Sequence, residues 1–346
     1  LLKTKMSKFS DGLSRAVRHQ MLDPEFIRDA KLLGRVYWAM KSDAPNYTQF
    51  AAEHPAYEDG VEAVYTTIQS AVDQGRDDVG DMVVVGRGKW TENVLVADDQ
   101  DGLKIMGPGG AQADYGARIR MSDATTKYPI GPLGLAGSQG AGFTVLSGGV
   151  EITGFMFDGG GGYSGVYVGG GLYSTSSGET TANATGCWVH HNFFRGGSEG
   201  QYGVYLDGSR LGVIVEDNVF ERQTLAAIFM GPGNASNEST VIRRNTVLAD
   251  NGGYGIYAYG AANSAIGAMI YDNYFGDRTS HAFAYAIYNV AGSTGVMSVM
   301  NNFFACANTV KLLGTDFTSG NHHGWPGHAT EGSNYFISEA AAGAES

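Results

Sequence analysis

Val189-His-His-Asn192-Phe-Phe194, Val215-Glu-Asp-Asn218-Val-Phe220, Ile242-Arg-Arg-Asn245-Thr-Val247, Ile270-Tyr-Asp-Asn273-Tyr-Phe275 and Val299-Met-Asn-Asn302-Phe-Phe304 are five copies of one phrase. Their asparagines lie 26, 27, 28 and 29 residues apart. An apolar-x-x-Asn-x-apolar unit with a drifting period in the high twenties marks a solenoid of β-strands, one coil per repeat. A single coil cannot bury its apolar face, so the coils must stack, with strands about 4.8 Å apart. The expected fold is all-β: a single-stranded parallel β-helix (solenoid) with a helical N-terminal anchor or cap, to which the resemblance given below adds the right hand.

Composition agrees. The chain has 346 residues with 52 glycines and 8 prolines, and glycine serves the coil corners that need positive φ. The net charge of −12 excludes a chain-wide nucleic-acid binder. Residues 1–36 carry eight Lys/Arg against four Asp/Glu, about +4, which leaves about −16 for the rest. No apolar run approaches a membrane span, and nothing resembles a signal peptide. Cys187 and Cys306 fall at different points of their repeats, which predicts buried free thiols.

Three divisions follow: a helical basic anchor and linker over 1–60, the solenoid over 61–320, and a closing loop and tail over 321–346. In the first, Asp23-Pro24-Glu25 reads as a helix start, and Arg15, Arg18, Arg28, Lys31 and Arg35 form a basic docking set. Val36, Trp38 and Met40 alternate as a strand would. Residues 65–72 predict a short amphipathic helix capping the open end of the stack. Residues 159–186 predict a long projecting loop.

Stacking turns sequence positions into columns. Asn192, Asn218, Asn245, Asn273 and Asn302 predict an internal amide ladder. In the strands around Val166, Val204, Ile228, Ile256 and Ile287, alternation sends Tyr167, Tyr205, Phe229, Tyr257 and Tyr288 outward. This aromatic stripe predicts an oligomer interface, with stacking under a loop or a glycan groove as alternatives. The residues before each asparagine predict an exposed salt-bridge ladder. Its alternative is an acid/base site in which Glu216 or Asp217 works beside His190 or His191. His322, His323 and His328 share one loop without a Cys or carboxylate cluster, so no metal or cofactor is expected.

Thr67-Ile-Gln-Ser-Ala-Val72, Gly80-Asp-Met-Val-Val-Val-Gly-Arg-Gly-Lys-Trp-Thr-Glu-Asn-Val94 and Gly102-Leu-Lys-Ile-Met-Gly107 resemble the opening of the pectin-lyase-like superfamily of right-handed parallel β-helices, over roughly residues 64–316. Gly88-Lys-Trp-Thr-Glu92 is similar to the Gly-x-Tyr-x-Glu of pectin methylesterases, but their downstream motifs are absent. So are the signatures of pectate lyases and polygalacturonases. No catalytic residue carries over, so the reading leans away from an enzyme and leaves a cryptic hydrolase site open. Phe9 to Trp38 resembles the head of β-helical virion proteins of tailed bacteriophages. That resemblance implies a capsid surface or decoration protein first and a tail spike or fibre second, assembled in the host cytoplasm and located on the virion surface. The implied partners are other virion proteins, further copies of the chain (a trimer among the arrangements) and a host glycan, with no nucleic acid or membrane. The rival is a polysaccharide lyase or glycoside hydrolase.

Overall fold

Each pass of the chain lays one short strand on each of three faces, and each face is a stack of parallel strands, save that Val310–Leu312 and Thr315–Phe317 end the third face as an antiparallel pair. The computed structural model describes residues 34–109, 117–120, 141–158, 164–175, 178–196, 201–207, 212–231, 239–249, 253–259, 268–277, 282–289, 297–306, 310–312, 315–317 and 335–336. The first face runs from Val64–Tyr65 and Val36–Ala39 through Glu151–Thr153, Trp188–His190 and Ile214–Glu216 to Met297–Met300, ten strands among the described residues. The second has nine, from Gly88–Thr91 to Tyr335–Phe336, and the third has ten, beginning at Val94–Val96. Neighbours on a face come from successive coils, as in Val189↔Val215↔Ile242↔Ile270↔Val299. This is a right-handed parallel β-helix.

The interior is filled by matching large and small residues. Phe157, Phe194 and Phe220 stack at centroid distances of 4.7 and 4.8 Å with planes 5° apart. Facing them on the third face is a small-residue column. A Cβ on Gly165 would lie 2.6 Å from Phe194 Cδ1, and one on Gly203 would lie 2.5 Å from Phe220 Cδ1. Where the phenylalanine stack is broken by Val247, the small residue is Ala227, and the two line a void of about 10 Å³. A void of that size holds at most one water.

The bend between the first and second faces is a single residue in the left-handed region. His191, Asp217, Arg244, Asp272 and Asn301 have φ of 53°, 54°, 53°, 57° and 54°. After it comes the asparagine, fully buried in every coil. Asn218 Oδ1 accepts from Asn192 N at 3.0 Å and from Asn192 Nδ2 at 3.2 Å, and Asn218 Nδ2 donates to Val189 O at 2.9 Å. The same set recurs to Asn245, Asn273 and Asn302. The amides satisfy the backbone groups that a sharp, buried bend leaves without strand partners.

The N-terminal end differs from the sequence expectation. The first solenoid strand is Val36–Ala39, paired to Met82–Val85, so the β-helix begins ahead of residue 61. Its inward residues are Tyr37 and Ala39, because Trp38 turns outward onto Phe50 of helix α1 (Tyr47–Glu53) and onto His54, the residue that caps its C-terminus. Helix α2 (Ile68–Val72) buries Ile68, Ala71 and Val72 over the end of the stack. Gln69 then mimics a strand. Its Oε1 accepts from Leu95 N at 2.7 Å and its Nε2 donates to Leu95 O at 3.0 Å. An edge that would otherwise template another strand is thereby paired.

The 159–186 insertion is not a plain loop. Ser164–Thr175 continues past its sheet and pairs antiparallel with Gly178–Asn183. Arg15, Arg18, Arg28 and Lys31 lie outside the described residues, as do His322, His323 and His328.

Candidate functional site: the charged wall beside the bends

The outer side of the first face carries a row of titratable groups, one coil after another. Register places Glu151 beside Lys104, His190 beside Thr153, Glu216 beside His190 and Arg243 beside Glu216. Lys104 Nζ lies 2.8 Å from Glu151 Oε2, and His190 Nε2 lies 3.0 Å from Glu151 Oε1. The hydrogen bond with His190, with that to Lys104, holds the Glu151 carboxyl down at about 2 against the opposing effect of burial. Trp188 stacks on the His190 ring at 3.8 Å. His190 Nδ1 meets His191 Nδ1 at 2.7 Å.

Two coils on, Arg243 bonds to Glu216 and, at 2.8 Å, to the Tyr271 hydroxyl. Arg244 grips Asp217 with both oxygens, at 2.9 and 2.8 Å, and reaches Glu216 at 2.6 Å. Burial alone raises the Glu216 carboxyl, but Arg243 and Arg244 more than offset it and leave it lowered. Asp217 is lowered chiefly by its hydrogen bonds to Arg244.

The expected exposed ladder is therefore corrected in its environment. His190 is 7% exposed and Glu216 is 2% exposed, because Trp188 and the two arginines lie over them. The acid/base alternative finds its residues adjacent but wrongly poised. A general acid needs a carboxyl raised towards neutrality, and both carboxylates here are held ionised by arginine. Glu92 has a raised carboxyl, owing to burial, but its Oε2 accepts from Ile68 N and Gln69 N and so starts helix α2.

The aromatic stripe is corrected as well. Tyr167, Tyr205 and Phe229 point away from the solenoid interior, yet all three are buried. They join Tyr202 in a second apolar cluster, with Tyr254 and Tyr257 half-buried beside it. Tyr202, which sequence reading passed over, packs 4.7 Å from Phe229. Its signal was the spacing of three that repeats as Tyr202/Tyr205, Tyr254/Tyr257 and Tyr285/Tyr288. Tyr288 stacks on Tyr254 at 5.0 Å, and Tyr167 donates to Asp207 Oδ2 at 2.7 Å. The rings pack on one another, some edge-on, as Tyr202 on Tyr205, and some stacked. Arg35 is also committed: Nη2 lies 2.6 Å from Asp59 Oδ2 and the guanidinium sits 4.6 Å over Tyr57. It belongs to the first coil rather than to a free docking set.

Cys187 and Cys306 are buried and free. Cys187 donates to Ser147 O at 3.2 Å, and burial pushes its thiol up to about 12. Among the described residues, Asp77, Asp78 and Asp101 form a three-carboxylate group. Asp101 Oδ1 is already bonded to Ser147 Oγ and Gly148 N, both at 2.6 Å.

Strand register and the bend row define the class: a parallel β-helix whose polar groups gather along one outer wall. Residues 121–342 match the family described as periplasmic copper-binding protein (NosD), and the chain belongs to that family. No curated protein matches it in sequence. Among solved structures, Escherichia coli YbhC shares 12% identity over 88% of this chain and 83% of that one, with a TM-score of 0.48. Rice weevil pectin methyl esterase shares 12% over 86% and 95%, TM-score 0.46. The tailspike protein of E. coli bacteriophage HK620, in complex with a hexasaccharide, shares 15% over 68% of this chain, TM-score 0.39. This chain spans 43% of that tailspike.

Proposed function

We propose that the chain is a structural protein of a bacteriophage particle: a rigid β-helix displayed on the capsid surface, with a tail spike or fibre as the other placement. The observation that carries this reading is the charged wall. Of the wall's carboxylates, Glu216 is locked to Arg243 and Arg244 and Asp217 to Arg244, which suits a stiff rod and not turnover of a glycan. The charge split, about +4 over residues 1–36 and about −16 beyond, and the likeness of Phe9–Trp38 to virion proteins support a separate docking segment. Other virion proteins are its partners through that segment, and further copies of the chain are the partners of the half-buried tyrosines.

The experiment is cryo-electron microscopy of purified particles carrying either the full chain or a chain lacking residues 1–33. Rods present with the first and absent with the second are expected. Full-chain particles without rods, or a free chain that degrades polysaccharide, would overturn the reading and favour the hydrolase.

The family description names copper. The protonated Cys187 thiol and the Asp77/Asp78/Asp101 oxygens are poor donors for it; paired imidazoles suit it. In this chain the described residues of that type are His190 and His191, and their Nδ1 atoms are already bonded to each other at 2.7 Å, so the described residues do not fit the ion.

A further inference from the structure

Off the three-faced path stands one antiparallel hairpin. Ser164–Thr175 begins inside the third face, where Ser164 to Gly169 pair with the coils on both sides. Residues 170–175 run on beyond those neighbours. Among the described residues they pair with Gly178–Asn183 only, in register from Gly170↔Asn183 to Thr175↔Gly178. Six residues at about 3.4 Å each make a ribbon about 20 Å long. A ribbon of two strands is marginally stable in water, and a third strand is what it lacks. Edges that stay single are blunted with Pro, Lys or a bulge. Gly178-Glu-Thr-Thr-Ala-Asn183 has neither Pro nor Lys, and its Thr180-Thr181 centre favours a strand. The companion strand opens on Gly170-Gly171, which makes it the weaker edge.

Backbone groups of an antiparallel ribbon face alternately into the ribbon and out to its edges. Ala184 N donates to Gly169 O at 3.3 Å, and this bond sets the alternation. Gly178, Thr180 and Ala182 therefore bond inward, while Glu179, Thr181 and Asn183 turn their N–H and C=O groups to the outer edge. We infer that this edge pairs with the same edge of a second copy of the chain, antiparallel and across a twofold axis. Edge-facing residues must meet edge-facing residues. The symmetric register that uses all three sets Thr181 opposite Thr181 of the second copy and Glu179 opposite Asn183. Glu179, the one charge of the strand, is thus kept away from its own copy, and no like charges stand opposite each other. An edge that complements itself about one residue is what an isologous contact requires. The two ribbons become one four-stranded sheet. This inference is independent of the virion reading and of the tyrosine contacts, neither of which involves the ribbon.

The test is the mass of the full chain in solution, by sedimentation, beside variants at the centre of the register. Thr181→Pro removes the N–H on the axis and none that the ribbon uses within itself. An even number of copies in the parent chain and half that number in Thr181→Pro is expected, whatever other contacts hold copies together. Thr181→Cys, treated with oxidised glutathione, should run as a disulfide-linked dimer on a non-reducing gel, because residues of a bonded antiparallel pair lie about 5.5 Å apart. Thr180→Cys, set opposite Ala182 of the second copy, should link at least about tenfold less. Cys187 and Cys306 are buried and add no background. The crosslink reads the edge even where the proline variant misfolds. A parent chain that is a monomer or a trimer, or an unchanged mass in a folded Thr181→Pro variant, would overturn the inference. So would a Thr181→Cys chain that links no better than Thr180→Cys.

Discussion

The coils before residue 155 and those after residue 187 follow the same three-faced path by different means. In the later coils one device repeats: a non-glycine bend in the left-handed region, then a buried asparagine bonded to its counterparts above and below. In the earlier coils Gly154, φ 79°, holds the bend and Phe155 holds the asparagine's place. The Phe155 N–H is the ladder's last rung, donating to Asn192 Oδ1 at 3.0 Å. Beyond it, single-use contacts take over. Arg76 is fixed to the buried Asp81, Gln100 Nε2 donates to Val72 O, and Gln69 closes the Val94–Val96 edge. A repeated device is legible because it recurs in register. A single-use device has no second copy to reveal it.

The comparison breaks most readily at the ladder. Asn218→Ala strips an acceptor from the buried Asn192 N–H and a donor from Val189 O. A loss of about 4 kcal/mol in chemical denaturation is expected, since each buried group left without a partner costs about 1–3 kcal/mol. A loss under 1 kcal/mol would mean that water replaces the amide. Gly203→Ala comes next. Its methyl group meets Phe220 Cδ1 at 2.5 Å and Ala227 O at 2.7 Å, and overpacking of this kind costs about 1–3 kcal/mol. Ala227 in the following coil faces Val247 and shows that the fit is local, so Phe220→Val should rescue part of the Gly203→Ala loss.

Gln69→Ala tests the other half of the comparison. Two bonds to an edge strand should contribute about 1–2 kcal/mol. Hydrogen exchange should quicken at Leu95 while amides around Asn218 and Asn245 stay protected. Uniform loss of protection would show that both halves unfold as one unit. Acid tests the charged wall. Glu151 is lowered in the folded chain to about 2, so its contribution is complete above the ordinary carboxylate range near 4.5 and is lost as pH falls towards 2. Stability measured against pH should fall through that window, and Glu151→Gln should flatten the fall.

The solenoid and its asparagine column were legible because an exact register forces like residues into one environment coil after coil. The charged wall was legible as adjacency, since His190, Glu216 and Arg243 stand at one repeat position. Its burial was not, because that depends on how Trp188 and two arginine side chains lie across neighbouring coils. The burial of the aromatic stripe was not legible for the same kind of reason. Alternation says which way Tyr205 points, and only packing against Tyr202 and Phe229 decides that it is buried.

By itself the sequence determined the fold class and the asparagine column of the coils from residue 187 onward, both of which follow from periodicity; that the left-handed bends fall on His191, Asp217, Arg244, Asp272 and Asn301 rather than on glycines was left to the structure. Tertiary structure alone decided that Val36–Ala39 joins the stack, that Gln69 closes an edge, that Glu216 and Asp217 are held by arginines and that His190 Nδ1 is aimed at His191. Each of these joins residues from separate coils or separate loops, and no local pattern encodes a contact whose two halves are set by the path between them.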